Sequence, residues 1–103
     1  MASKTEGIQP YPQRLSKAQA DAVVAAAELV ADPEHRDAHQ WIVRSGTTVI
    51  GYVVPSYGGT SRSGRNGWVG RLNGMDGPRC RTRQEASVDL LGRWVRLVTA
   101  ASR

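Results

Sequence analysis

Few side chains in this sequence could carry chemistry, and most of those are arginine. His35 and His39 stand four residues apart, a spacing at which two imidazoles on one helical face can share a metal ion. No Cys or third His completes a ligand set, and His39 opens a stretch that alternates like a strand, so no metal site is expected. Cys80 lies between Arg79 and Arg81, cations that favour a thiolate. On an alternating strand it points away from both, toward the core. A lone Cys makes no internal disulfide, which suits a reducing cytoplasm. The Gly-rich stretch 58–67 lacks the Lys-Ser/Thr ending of a phosphate loop, and its serines stand in no nucleophile-elbow pattern. Carboxylates after Asp37 are too sparse for an acid–base pair. The expectation is a non-enzyme that needs no cofactor.

What remains is charge. The formal net charge is +5, and it is unevenly spread. Residues 1–38 hold four basic and six acidic side chains; residues 39–103 hold ten basic and three acidic, and all ten are Arg. Guanidinium groups favour bidentate contacts to phosphate and guanine, which Lys makes less well. Such an imbalance points to a polyanionic partner.

These residues need elements to position them. At 103 residues, the chain suits one domain. Residues 1–14, polar and carrying Pro10 and Pro12, read as a flexible arm, and 15–103 as a single α+β domain. No apolar run approaches a membrane span, and the first residues lack the apolar region of a signal peptide; a cytoplasmic protein without membrane contact is expected. Ser16 and Gln19 have capping-box spacing, which predicts a helix over 16–32 ended by Pro33. Its apolar line is Ala20, Val23, Val24, Ala27 and Val30.

After a charged connector the period changes. Strands are predicted over 39–45, 47–54 and 67–73, the first two joined by a tight turn at Gly46. Trp41, Val43, Trp68 and Leu72 then share a buried face, and Arg44 and Arg71 the opposite one. The middle strand is apolar on both sides, with Val49 and Val53 against Ile50, Tyr52 and Val54. A turn over Met75 to Pro78 leads to Arg79–Cys80–Arg81, a candidate fourth strand. Thr82 and Glu85 form a second capping box, which predicts a helix over 83–100. Its apolar arc, from Ala86 through Leu90 and Trp94 to Val98, is wider than one packing partner requires. The predicted architecture is therefore an N-terminal helix, a meander of three or four antiparallel strands, and a C-terminal amphipathic helix packed on the sheet.

The stretch Trp68-Val-Gly-Arg-Leu, a Gly-rich turn, and Arg79-Cys-Arg-Thr-Arg-Gln-Glu-Ala86 resembles the AP2-like, arm-type DNA-binding domains at the N-termini of phage and transposon tyrosine recombinases. Cys80 stands where that pattern has Phe, and Thr82 to Ala86 match its helix start. The likeness covers about 20 residues well and about 60 loosely; the recombinase catalytic domain has no counterpart here, an extra helix precedes the sheet, and the 55–66 loop is long for the pattern. It implies a small sheet lying in the major groove with the helix behind it. Arg44 and Arg71 would then face the groove, with Gln40, Tyr52 and Asn73 beside them. Arg62 and Arg65 would clamp phosphates from the loop, and Arg79, Arg81 and Arg83 would surround the helix N-terminus, where backbone N–H groups favour a phosphate.

The order helix, three strands, helix is also that of double-stranded-RNA-binding domains, but the Gly/Ala pattern of that family is absent, so DNA ranks above RNA. A different class is a phage- or plasmid-type accessory or inhibitor protein, acting through an apolar interface with a protein partner or as a homodimer. The wide arc on the last helix and the two-faced middle strand favour it.

Overall fold

A computed structural model of the chain describes residues 14–57 and 67–100. The elements are α1 (Lys17–Ala25), β1 (Ala27–Ala31), a 3-10 turn (Pro33–His35), β2 (Trp41–Ser45), β3 (Thr48–Pro55), β4 (Trp68–Leu72), β5 (Met75–Asp76) and α2 (Arg83–Thr99). The strands form one antiparallel sheet in sequence order, β1-β2-β3-β4-β5. Both helices lie in one layer: α2 packs on β3 and β4, and α1 packs beside it on α2. This is the expected α+β class with more strands. Of the expected arm, only Arg14 falls among the described residues.

α1 starts as its sequence dictates. The Ser16 hydroxyl accepts from the Gln19 N–H, and the Gln19 side chain accepts from the Ser16 N–H. The helix does not run to Asp32, however. It ends at Ala25, and Ala27–Ala31 forms the outermost strand, paired with β2 from Ala27↔Ser45 to Ala31↔Trp41. Alanine-rich sequence favours helix, but the preference is under 1 kcal/mol per residue (about 0.7 at most for ordinary residues) and yields to tertiary pairing. Here Leu29 packs toward the core while Glu28 lies opposite Arg44 in a cross-strand ion pair of 3.3 Å. The Ser45 hydroxyl also donates to the Val23 carbonyl at 2.9 Å, tying the end of α1 to the end of β2.

The 32–40 connector is closed around Asp32. Its carboxylate accepts from the Glu34 N–H at 3.0 Å and from Gln40 Nε2 at 2.8 Å, and meets His35 Nδ1 at 2.9 Å. The Asp32 N–H donates to the Gln40 carbonyl, and His39 takes a left-handed φ of 57° to bring the chain back. The strand predicted from 39 therefore begins at Trp41. Gln40 spends its side chain on this connector rather than on the sheet face.

β2 and β3 turn through Gly46, at φ 63°, as expected. A bulge resolves the two-faced middle strand. Val43 pairs with Gly51 and Arg44 with Val49, leaving Ile50 as the extra residue. An extra residue in one strand shifts its alternation. Ile50 and Val53 are both buried in the core, and Val49 is left on the exposed side. β4 turns through Asn73 and Gly74, both left-handed (φ 54° and 79°), into β5. The candidate strand at 79–81 reduces to one bridge, Trp68↔Cys80.

α2 is capped by Thr82, whose hydroxyl accepts from the Glu85 N–H; the Glu85 carboxylate reaches back to the Arg81 N–H. Its inner side buries Ala86, Leu90, Trp94 and Val98 against Val43, Ile50, Val53, Leu72 and Ala20. Two glycines permit the approach. A Cβ on Gly51 would lie 2.8 Å from Leu90 Cδ1, and one on Gly70 2.7 Å from the Ala86 carbonyl oxygen. The wide apolar arc is accounted for only in part, since Val88 and Leu97 remain 66% and 55% exposed.

Candidate nucleic-acid interface

Because paired residues share a face and neighbours alternate, the register sorts the sheet. Trp41, Val43, Gly51, Val53, Pro55, Trp68, Gly70 and Leu72 face the helices. Glu28, Val30, Ile42, Arg44, Tyr52, Val54, Val69, Arg71 and Asp76 face away from them. Arg44 and Arg71 thus lie on the outer face, as expected. Each is neutralised by the carboxylate directly across the strand. Arg71 Nε donates to Asp76 at 2.7 Å and Nη2 at 3.3 Å, and Arg44 donates to Glu28. The hydrogen bond from Arg71 holds the Asp76 carboxyl below the usual carboxylate range, despite partial burial. Neither arginine presents a spare charge on that face.

Among the described residues, unpaired cations stand elsewhere, singly at Arg14, Arg36 and Arg96 and three close together in sequence at the start of α2. Arg79, Arg81 and Arg83 are exposed, and among the described residues none has a carboxylate within ion-pair distance. They precede or open α2, whose first-turn N–H groups carry partial positive charge. Glu85 is the acidic residue of that turn. Arg83 is further fixed by aromatic contact. Its guanidinium lies 4.0 Å from the Trp41 ring centroid and 5.5 Å from that of Trp68. Trp41 on β2 and Trp68 on β4 flank β3 at Val53 and Pro55, so one cation reaches indoles from two strands that do not pair with each other. An exposed contact of this kind contributes about 0.5–1 kcal/mol.

Arg62 and Arg65 lie outside the described residues. Where the chain resumes, Gly67 packs on this same cluster, since a Cβ there would lie 2.5 Å from the Cys80 carbonyl oxygen and 2.9 Å from Arg79 Cγ. At the other end Pro55 pairs with Trp68, and the Ser56 N–H donates to the Gly67 carbonyl at 2.9 Å. The described residues Ser56 and Gly67 on either side therefore meet each other, with Gly67 against Arg79.

Arg93, read from sequence as part of a solvent face, is tied inward. It donates to Asp89 at 3.0 Å and to the Gly70 carbonyl at 2.6 Å. Cys80 is partly buried and packs against the core, and its Sγ–H donates to the Pro78 carbonyl at 3.6 Å. Burial pushes its thiol up, and Asp89 and Glu85 push it further. The flanking arginines do not activate it. His35 is engaged with Asp32, and no group of three metal-ligating side chains occurs among the described residues. No helix of the described residues is long and apolar enough to cross a membrane.

Sequence reasoning named Arg79, Arg81 and Arg83 but missed the indoles that hold the last of them. The missed signal is the capping position itself: a residue at the first turn of α2 must lie over the strand ends that carry Trp41 and Trp68. The chain matches no protein-family model, no curated protein and no solved structure.

Proposed function

We propose that this chain is a non-enzymatic nucleic-acid-binding protein that prefers DNA and binds through the cation cluster at the start of α2. The observation that carries this reading is the contrast between its arginines. Those on the outer sheet face are cancelled by cross-strand carboxylates, whereas Arg79, Arg81 and Arg83 keep their charge beside a helix N-terminus. Phosphate oxygens suit such a site. Arg44 and Arg71 would contribute only by exchanging a carboxylate for a base edge or phosphate. Five strands in place of three weaken the likeness to the double-stranded-RNA module. The three-stranded core β2-β3-β4 with α2 behind it is compatible with the arm-type resemblance.

The test is binding of a labelled random duplex followed by fluorescence anisotropy across a salt series. Affinity is expected to fall linearly on a log–log plot, with a slope of about −0.9 per phosphate neutralised. Replacing both Arg79 and Arg81 by Gln should flatten the slope by about 2. Arg71→Ala should change it little, because its charge is already paired. Absence of binding at low salt to both this duplex and a single strand would overturn the proposal.

A second reading rests on a separate observation. Val30, Ile42 and Tyr52 are half-buried apolar or aromatic residues on the outer sheet face, while Val54 and Val69 beside them are buried, and both described helices lie on the other side. Such a face suits a protein partner or a second copy of the chain, in an accessory or inhibitor role. Sedimentation of the purified protein over a concentration series separates the self-associating form of this reading from a monomeric nucleic-acid binder.

A further inference from the structure

Trp41 and Trp68 together hold one flat group, the Arg83 guanidinium. Arg83 is exposed, has no carboxylate partner among the described residues, and keeps its place by lying over the two rings. The rings rise from β2 and β4, across the strand from Val53 and Pro55 of β3. With the guanidinium 4.0 Å from one centroid and 5.5 Å from the other, one planar cation reaches both indoles, and a flat group stacked on Trp41 in its place would have Trp68 beside it. Both rings are only partly buried, and Arg79 and Arg81 stand at the same end of the fold, two and four residues before Arg83.

We infer that this pair of indoles is a stacking site for an unpaired nucleobase, so that the preferred ligand is single-stranded nucleic acid or a duplex with an unpaired end. The inference deepens the proposed function and rests on it. A base enters over Trp41 in place of the Arg83 guanidinium. The freed guanidinium then turns to the phosphate of the same nucleotide, joining Arg79 and Arg81. Aromatic platforms beside a basic track are the general means of holding single strands without reading their sequence. A guanidinium and a base are alike in being flat and in favouring an indole face, so one can replace the other without rebuilding the site. Trp94 is 4% exposed in the core and takes no part.

The experiment compares three probes of about 15 nucleotides: oligo(dT), a base-free strand with the same number of phosphates, and a blunt duplex. Affinity is read by anisotropy and stacking by tryptophan emission. Oligo(dT) is expected to bind about tenfold more tightly than the base-free strand and to quench the emission, whereas the base-free strand should bind without quenching. Trp41→Leu should remove that tenfold advantage and most of the quenching while leaving base-free binding in place. If this variant does not fold, the probe comparison on the unaltered protein decides alone. Equal binding of oligo(dT) and the base-free strand, without quenching, overturns the stacking site but leaves phosphate binding standing. Failure of all three probes to bind overturns both.

Discussion

Asp32 is buried among groups that favour its ionised form. Burial pulls its carboxyl up, but hydrogen bonds from Gln40, the Glu34 N–H and His35 outweigh this and hold it below its ordinary value of 3.8. A carboxyl lowered in the folded state stabilises the fold at pH values above its unfolded pKa, and that contribution is lost as pH falls through the folded value. The window therefore lies below about pH 4. Asp32→Asn should lower the urea midpoint at pH 7, and the gap to the unaltered protein should narrow at pH 3. A gap of equal size at both pH values would show that the charge of Asp32 contributes nothing. Asp76 titrates in the same direction through Arg71, so the protein as a whole should lose stability in acid.

At the scale of elements, the fit of α2 on β3 and β4 depends on bare backbone. Gly70→Ala would place a methyl 2.7 Å from the Ala86 carbonyl oxygen and 2.8 Å from Leu90 Cβ. Neither can retreat without moving the helix, and a cost of about 1–3 kcal/mol is expected. Gly92, on the same helix, meets only Arg96 Nη1 at 3.9 Å. Gly92→Ala should stabilise by about 0.5–1 kcal/mol through helix propensity. Thermal melts of the two variants should move in opposite directions; a shared direction would contradict the packing described for Gly70.

Elements governed by local rules were legible in the sequence. Both capping positions, the turn at Gly46 and α2 itself follow from residues close together in the chain. β1 was not legible, because Ala27–Ala31 has no strand signal of its own and becomes a strand by pairing with β2. Once Glu28 is assigned to a helix, its ion pair with Arg44 cannot be foreseen, and the outer face looks more basic than it is. β5 was legible but overlooked, since Asn73-Gly74 is a strong hairpin signal. The Trp41–Arg83–Trp68 contact joins residues more than forty positions apart in sequence, and only the intervening strand β3 brings them together.

Over the whole molecule, stability is expected to be graded. β3 is paired on both sides and lies beneath α2, whereas α1 is nine residues long, buries Ala20 fully, and holds the fold mainly through α2. A helix this short is marginal alone. Hydrogen exchange should therefore find the slowest amides in β3 and an opening of α1 that precedes global unfolding. Equal protection of the two would mean that α1 and the sheet open as one unit.

The Leu15 N–H donates to the Val98 carbonyl at 2.7 Å, so the start of α1 is fastened to the last turn of α2. On the ribosome these partners emerge far apart in time. The five strands can pair with their neighbours as they appear, and Ser45 can reach the end of α1, but α1 lacks its α2 partner until about 80 further residues have been made. At about 5–20 residues per second, the Ala20, Val23 and Val24 side waits several seconds without its partner. During synthesis, then, α1 is made before the sheet yet completes its packing only after α2.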